Sequence, residues 1–206
     1  MFSSSGYRRK KALIMCNNMK SCQEDVRRLE NILQNYNFDI DKRIACYPKR
    51  EIEKFLKSDN LGQQLGEEDL LYIHYSGHGI KRGKRINNEY RLISSWINPN
   101  GSVTCSTEID PILSKLSCKI ILTTDSCYSE TFGDYFTGNS LIFVGTSKIS
   151  VKSKTYILNG EEAHGSLVYL FEHLLKLRQE IDISNIKNSS FFKQNNIDTN
   201  LIIKIK

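Results

Sequence analysis

The chain has 206 residues, of which 39% are hydrophobic and 25% charged, with only 3 prolines and 12 glycines. These are globular proportions at a length that suits one domain, which excludes wholesale disorder and collagen-like or mucin-like repeats. Lys and Arg number 29 against 23 Asp and Glu, a net charge of +6 that is spread along the chain and lacks the stripe and reading module of a dedicated nucleic-acid site.

No apolar run approaches the roughly 18 residues of a membrane span. Ala12 to Cys16 is too short for a signal-peptide core of roughly 7–15 residues. A cytoplasmic location is therefore expected, with the nucleus left open. Six cysteines stand at positions 16, 22, 46, 105, 118 and 127, and no Cys-x-x-Cys pair occurs. That excludes a zinc ribbon and a thioredoxin motif, and predicts free thiols in a reducing compartment. One of them is then available as a nucleophile.

Lys10–Cys16 (KKALIMC) predicts the first strand, after a flexible start over residues 1–9. Ser21, with Glu24 three residues on, has the form of a capping box. Val26, Leu29, Ile32 and Leu33 give the helix behind it one apolar face. Ile40 and Ile44 mark a weak second strand. Pro48 opens a helix striped by Ile52, Phe55 and Leu56.

Asp69–Tyr75 (DLLYIHY) shows no polar alternation, as expected of a strand buried on both faces, and Ser76-Gly77-His78-Gly79 ends it. The stretch 81–101 is polar and basic, with an edge strand at Tyr90–Ile93 and a turn at Asn98-Pro99-Asn100-Gly101. Thr107 caps a helix through Ile109, Ile112, Leu113 and Leu116, with Pro111 early enough to be tolerated. Lys119–Thr124 (KIILTT) is the next buried strand, followed by Asp125-Ser126-Cys127.

Ser140–Gly145 (SLIFVG) is another strand, and a lysine-bearing loop follows it. Gly165–Lys176 reads as an amphipathic helix. Residues 182–206 form a tail with a last edge strand at Leu201–Ile205. Strands alternating with helices imply an α/β domain over residues 1–206, with a mostly parallel sheet covered on both faces.

In such sheets, ligands bind beyond the carboxyl ends of the strands. Two buried strands end in reactive residues, His78 and Cys127. If those strands are neighbours, imidazole and thiol lie side by side. The imidazole can take the thiol proton and later hand it to a leaving amine. Glycines beside His78 allow close backbone approach, so the Gly79 and Cys127 N–H groups are candidate donors to an oxyanion.

The run Leu70-Leu71-Tyr72-Ile73-His74-Tyr75-Ser76-Gly77-His78-Gly79 resembles the histidine block of metacaspases and their caspase-like relatives. Ile120-Ile121-Leu122-Thr123-Thr124-Asp125-Ser126-Cys127-Tyr128-Ser129 resembles their cysteine block. Together, in this order and each after a hydrophobic strand, the blocks are specific. The resemblance implies a caspase-like (caspase–hemoglobinase) fold and a cysteine endopeptidase acting on protein or peptide substrates. His78 would be the general acid/base and Cys127 the nucleophile. No cofactor, metal or membrane is implied, and a monomer is. Asp125 and Ser147 would line the substrate pocket, with Asp125 pairing a substrate Arg or Lys before the scissile bond.

The sequence departs from that pattern in places. The family's further acid after the next strand is missing from Gly145-Thr146-Ser147-Lys148-Ile149-Ser150-Val151-Lys152, and Glu130 is either a replacement or a solvated side chain. Ser102–Glu108 holds one carboxylate where calcium-activated relatives cluster several, so calcium-independent activity is expected. Taken singly, Cys127 reads as a small buried hydrophobe, His78 as a turn residue and Asp125 as a cap; His74 reads as core. The alternative for the whole chain is a catalytically silent caspase-like domain that binds or regulates.

Overall fold

The computed structural model describes residues 6–138, 141–146, 155–158, 161–165, 168, 171 and 202–205. A six-stranded sheet runs in the order β11-β8-β7-β3-β1-β2. Its strands are β1 (Lys10–Cys16), β2 (Asp39–Ile44), β3 (Leu70–Ser76), β7 (Lys119–Asp125), β8 (Leu141–Gly145) and β11 (Ile202–Ile205). All pairings are parallel except that of the border strand β11 on β8. The expected mostly parallel sheet is thus present, as is the expected last edge strand.

Alternation along β1 divides the core. Ala12, Ile14 and Cys16 face α1 (Lys20–Gln34), meeting Val26, Leu29 and Leu33. Leu13 and Met15 face the other way, toward α2 (Pro48–Lys57), α3 (Leu61–Gln64) and α4 (Ser106–Leu113). Every residue of β3 is buried, which accounts for its unbroken apolar sequence. Pro48 occupies the first turn of α2, where its missing N–H costs nothing. Of the expected helix at 165–176, Val168 and Phe171 are helical and buried against the α1 layer. The rest of that helix lies outside the described residues. No helix among the described residues is long and apolar enough to cross a membrane.

Two expected caps are corrected. Ser21 does not cap α1: the helix starts at Lys20 behind Met19, whose N–H donates to Asn17 Oδ1 at 3.0 Å, and Glu24 accepts from Arg28 instead. Thr107 does not cap α4, which begins at Ser106; Glu108 accepts the Cys105 N–H at 2.8 Å. In both places a neighbouring polar group reaches the orphan N–H first.

The basic stretch after His78 is more ordered than its composition suggests. β4 (Gly79–Ile86) and β5 (Glu89–Ile97) form a hairpin, extended by β6 (Val103–Cys105). Asn87 and Asn88 both have positive φ, 48° and 66°, the pattern of a two-residue turn whose twist suits a hairpin. The hairpin is rooted by Trp96, which stacks between Tyr75 at 4.6 Å and Phe132 at 4.2 Å and donates to Thr124 Oγ1 at 3.0 Å. A second small sheet pairs β9 (Thr155–Leu158) with β10 (Glu161–Gly165), in a region expected to be loop.

At the amino end of the sheet, Asp69 ties β1 to β3. Its carboxylate is fully buried and accepts from Arg8 Nη2 at 3.0 Å, Arg9 Nη2 at 2.8 Å and the Gly66 N–H at 2.9 Å. Arg8 and Arg9, which the sequence groups with a flexible start, are anchored by it.

Candidate active site

β3 and β7 are neighbours, paired in register from Leu70 with Lys119 to Ser76 with Asp125. His78 and Cys127 each lie two residues beyond that last pair, so the register alone brings both turns to one edge of the sheet. The Gly77 N–H donates to the Asp125 carbonyl at 3.1 Å, carrying the ladder past the strands. The Ile97 N–H donates to the His78 carbonyl at 3.0 Å, and Tyr75 Oη donates to the Ile97 carbonyl at 3.1 Å. β5 thereby fixes the backbone that carries the imidazole.

The two turns touch through their backbones. A methyl group added at Gly79 would lie 2.1 Å from the Cys127 carbonyl oxygen and 3.1 Å from its nitrogen. Only a residue without Cβ permits that approach. Beyond the cysteine, Tyr128 takes a left-handed conformation, φ 57°, which turns the chain sharply off the strand. His78 is exposed and Cys127 half-buried.

The other five cysteines are buried and reduced. Burial pushes the thiols of Cys16 and Cys46 up to about 12 and those of Cys22 and Cys118 up to about 11. Those four remain neutral thiols at physiological pH and make poor nucleophiles. Cys127 is the one cysteine that a solvent-borne group can reach.

Beneath the two turns, on the sheet face covered by α1, is a set of buried polar groups. Ser76 Oγ donates to Asp25 Oδ2 at 2.7 Å, and Asp25 is 2% exposed. Asp125, the register partner of Ser76, is 6% exposed. Both carboxylates act on the Cys22 thiol, adding to the effect of its burial. One step deeper, His74 Nδ1 lies 2.8 Å from Thr123 Oγ1, which lies 2.7 Å from Tyr72 Oη. Burial pushes His74 down to about 4 against the pull of Asp25, so the imidazole is neutral and belongs to the core, as expected.

The structure therefore brings together His78, Gly79 and Cys127, with Asp125 below them. Ser147 lies outside the described residues. Sequence reasoning missed Asp25, Cys22 and Ser76. A helical-wheel reading holds the signal: Asp25 falls three residues after Cys22 and four before Leu29, inside the apolar stripe rather than opposite it. Among the described residues, no group of His, Cys, Asp and Glu side chains is arranged to hold a metal ion.

An α/β sheet with a histidine turn and a cysteine turn at its carboxyl edge is the layout of a caspase-like domain. The family model for the caspase domain, a peptidase family, matches residues 9–168, and the chain belongs to that family. No curated protein matches the sequence. Among solved structures, the chain is similar to a crystal structure of a protein from Geobacter sulfurreducens, with a TM-score of 0.69 at 13% identity, covering 95% of this chain and 92% of that one. At that identity the likeness concerns the fold alone.

Proposed function

We propose that the protein is a cysteine endopeptidase that cleaves after Arg or Lys. The reading is carried by the backbone contact between Gly79 and Cys127, which holds the imidazole turn and the thiol turn as one unit. His78 takes the Cys127 proton, and the Sγ thiolate attacks the scissile carbonyl carbon. The Gly79 and Cys127 N–H groups receive the oxyanion. His78 then gives its proton to the leaving amine, whose C–N bond breaks to leave a thioester. A water molecule, deprotonated by His78, hydrolyses the thioester and restores the thiol.

Asp25 and Asp125 support the choice of a basic residue before the scissile bond. Two carboxylates buried around one thiol repel each other in a poorly solvated place, and a substrate cation seated between them offsets that cost. Asp25 thus takes the part of the second acid that the sequence lacks after β8. A guanidinium, with its fork of donors, suits two carboxylates better than an ammonium does.

The test is a panel of fluorogenic peptides varied at the residue before the scissile bond, with and without calcium. Peptides with Arg or Lys should be cut, with no gain from calcium. Asp25→Asn and Asp125→Asn should each raise KM for the Arg peptide by about 30-fold or more, with thermal melting to confirm that α1 stays packed. Cleavage after acidic or small residues instead would overturn the basic pocket. Absence of cleavage throughout the panel would favour a silent binding domain.

A further inference from the structure

We infer that the outward face of the β4–β5 hairpin is a docking strip for an acidic, partly apolar segment of the polypeptide being cleaved. The inference rests on the peptidase reading above and adds a second recognition element to it.

Cross-strand partners share a face of the hairpin. The pairs Gly79 with Trp96, Lys81 with Ser94, Gly83 with Leu92 and Arg85 with Tyr90 therefore line one face from root to tip. At the root, that face packs on the cysteine turn. Cys127 lies on Gly79, Lys81 Nζ sits 5.2 Å from the centre of the Tyr128 ring, and the Ser94 N–H donates to Thr131 Oγ1 at 2.7 Å. Beyond Ser94 the catalytic turn no longer covers it, and the face continues into solvent.

That free part is unlike an ordinary solvated strand. Tyr90 is 79% exposed and Leu92 49% exposed. A methyl group at Gly83 would collide with the Tyr90 ring, so the ring leans across the glycine with most of its surface open to solvent. Arg85 stands directly opposite Tyr90. Among the described residues, Arg85 has no carboxylate partner, whereas Arg91 is paired with Glu89 and Lys84 donates to Thr107.

An apolar rung flanked by an unneutralised guanidinium and by Lys81 is complementary to a chain carrying a Leu-like residue between carboxylates. The strip opens from the turn that bears Cys127, so its occupant is the polypeptide held at that cysteine.

The experiment uses Cys127→Ala protein, which binds without turnover, and short labelled peptides read by fluorescence anisotropy. One peptide carries Arg with a Leu flanked by Glu residues, placed before or after the Arg. Its control replaces the Glu residues by Ser. The acidic peptide should bind about tenfold more tightly in at least one placement. The advantage should shrink at high salt and vanish in an Arg85→Gln/Tyr90→Ser variant, whose exposed substitutions leave the melting curve unchanged. Equal binding of the two peptides, or an advantage that survives in the variant, would overturn the inference. So would a single-stranded oligonucleotide bound through the same two residues with no preference between peptides. Because no turnover is read, failure here leaves the peptidase reading standing. Absence of cleavage with this binding intact would count against that reading alone.

Discussion

Cys127→Ala and Gly79→Ala are both expected to silence peptide cleavage, by different routes. Cys127→Ala removes the nucleophile and should lower kcat by about 10⁴-fold or more with the melting temperature unchanged. Gly79→Ala keeps every reacting group. Its methyl would lie 2.1 Å from the Cys127 carbonyl oxygen, and that neighbour is backbone, which cannot swing aside. The cysteine turn must retreat by about 1 Å, a displacement that costs about 10²-fold in rate. It also moves both oxyanion donors off target, each of which is worth about 10²-fold or more. Gly66→Ala is the control, since its methyl meets nothing nearer than 3.9 Å. Steady-state kinetics on one Arg peptide, with circular dichroism and melting, would check all three. Full activity in folded Gly79→Ala would show that the two turns do not act as a unit.

Asp69→Asn is expected to lower stability by about 1.5–3 kcal/mol near neutral pH without touching the chemistry, because Asp69 sits at the opposite edge of the sheet. The guanidinium of Arg8, then that of Arg9, holds the Asp69 carboxyl well below the usual carboxylate range, against the effect of burial. The folded-state value is depressed, so the carboxylate contributes fully above the unfolded value of about 3.9. Its contribution is lost as pH falls from there through the folded value. Urea unfolding should therefore show a constant gap between wild type and variant from about pH 8 to pH 5, narrowing below about pH 4. A gap that stays constant into strong acid would mean that the ion pairs contribute nothing to stability.

The site was readable in the sequence to the extent that chain neighbours determine it. Leu70–Ser76 and Lys119–Asp125 are buried on both faces and so write themselves as unbroken apolar runs. His78 and Cys127 stand out because each follows such a run at the same offset. The hairpin was only half legible. Lys81–Ile86 has neither β-branched enrichment nor alternation, and its strand form is imposed by pairing with β5 across the Asn87-Asn88 turn. Asp25 escaped notice because a stripe reading assigns acids to the wet side of a helix. Here Ser76, from a strand distant in sequence, supplies the hydrogen bond that lets the acid face inward. The caps at Ser21 and Thr107 failed for the same reason on a smaller scale, with Asn17 and Glu108 supplying the nearer acceptor.

The border strand β11 has a bearing on where the native sheet opens. β1, β3 and β7 are each seven residues long and paired on both sides. Ile202–Ile205 is held by four register pairs to β8 alone. A short pairing at a sheet border opens early, so amide exchange should be faster along β8–β11 than along β3–β7. Each opening bares the edge of β8, with Leu141, Phe143 and Val144 in one short apolar run. Such an edge is a template for a strand from another molecule. A concentrated solution is thus expected to fail first at the sheet's border, where four residues let go, rather than at the cysteine.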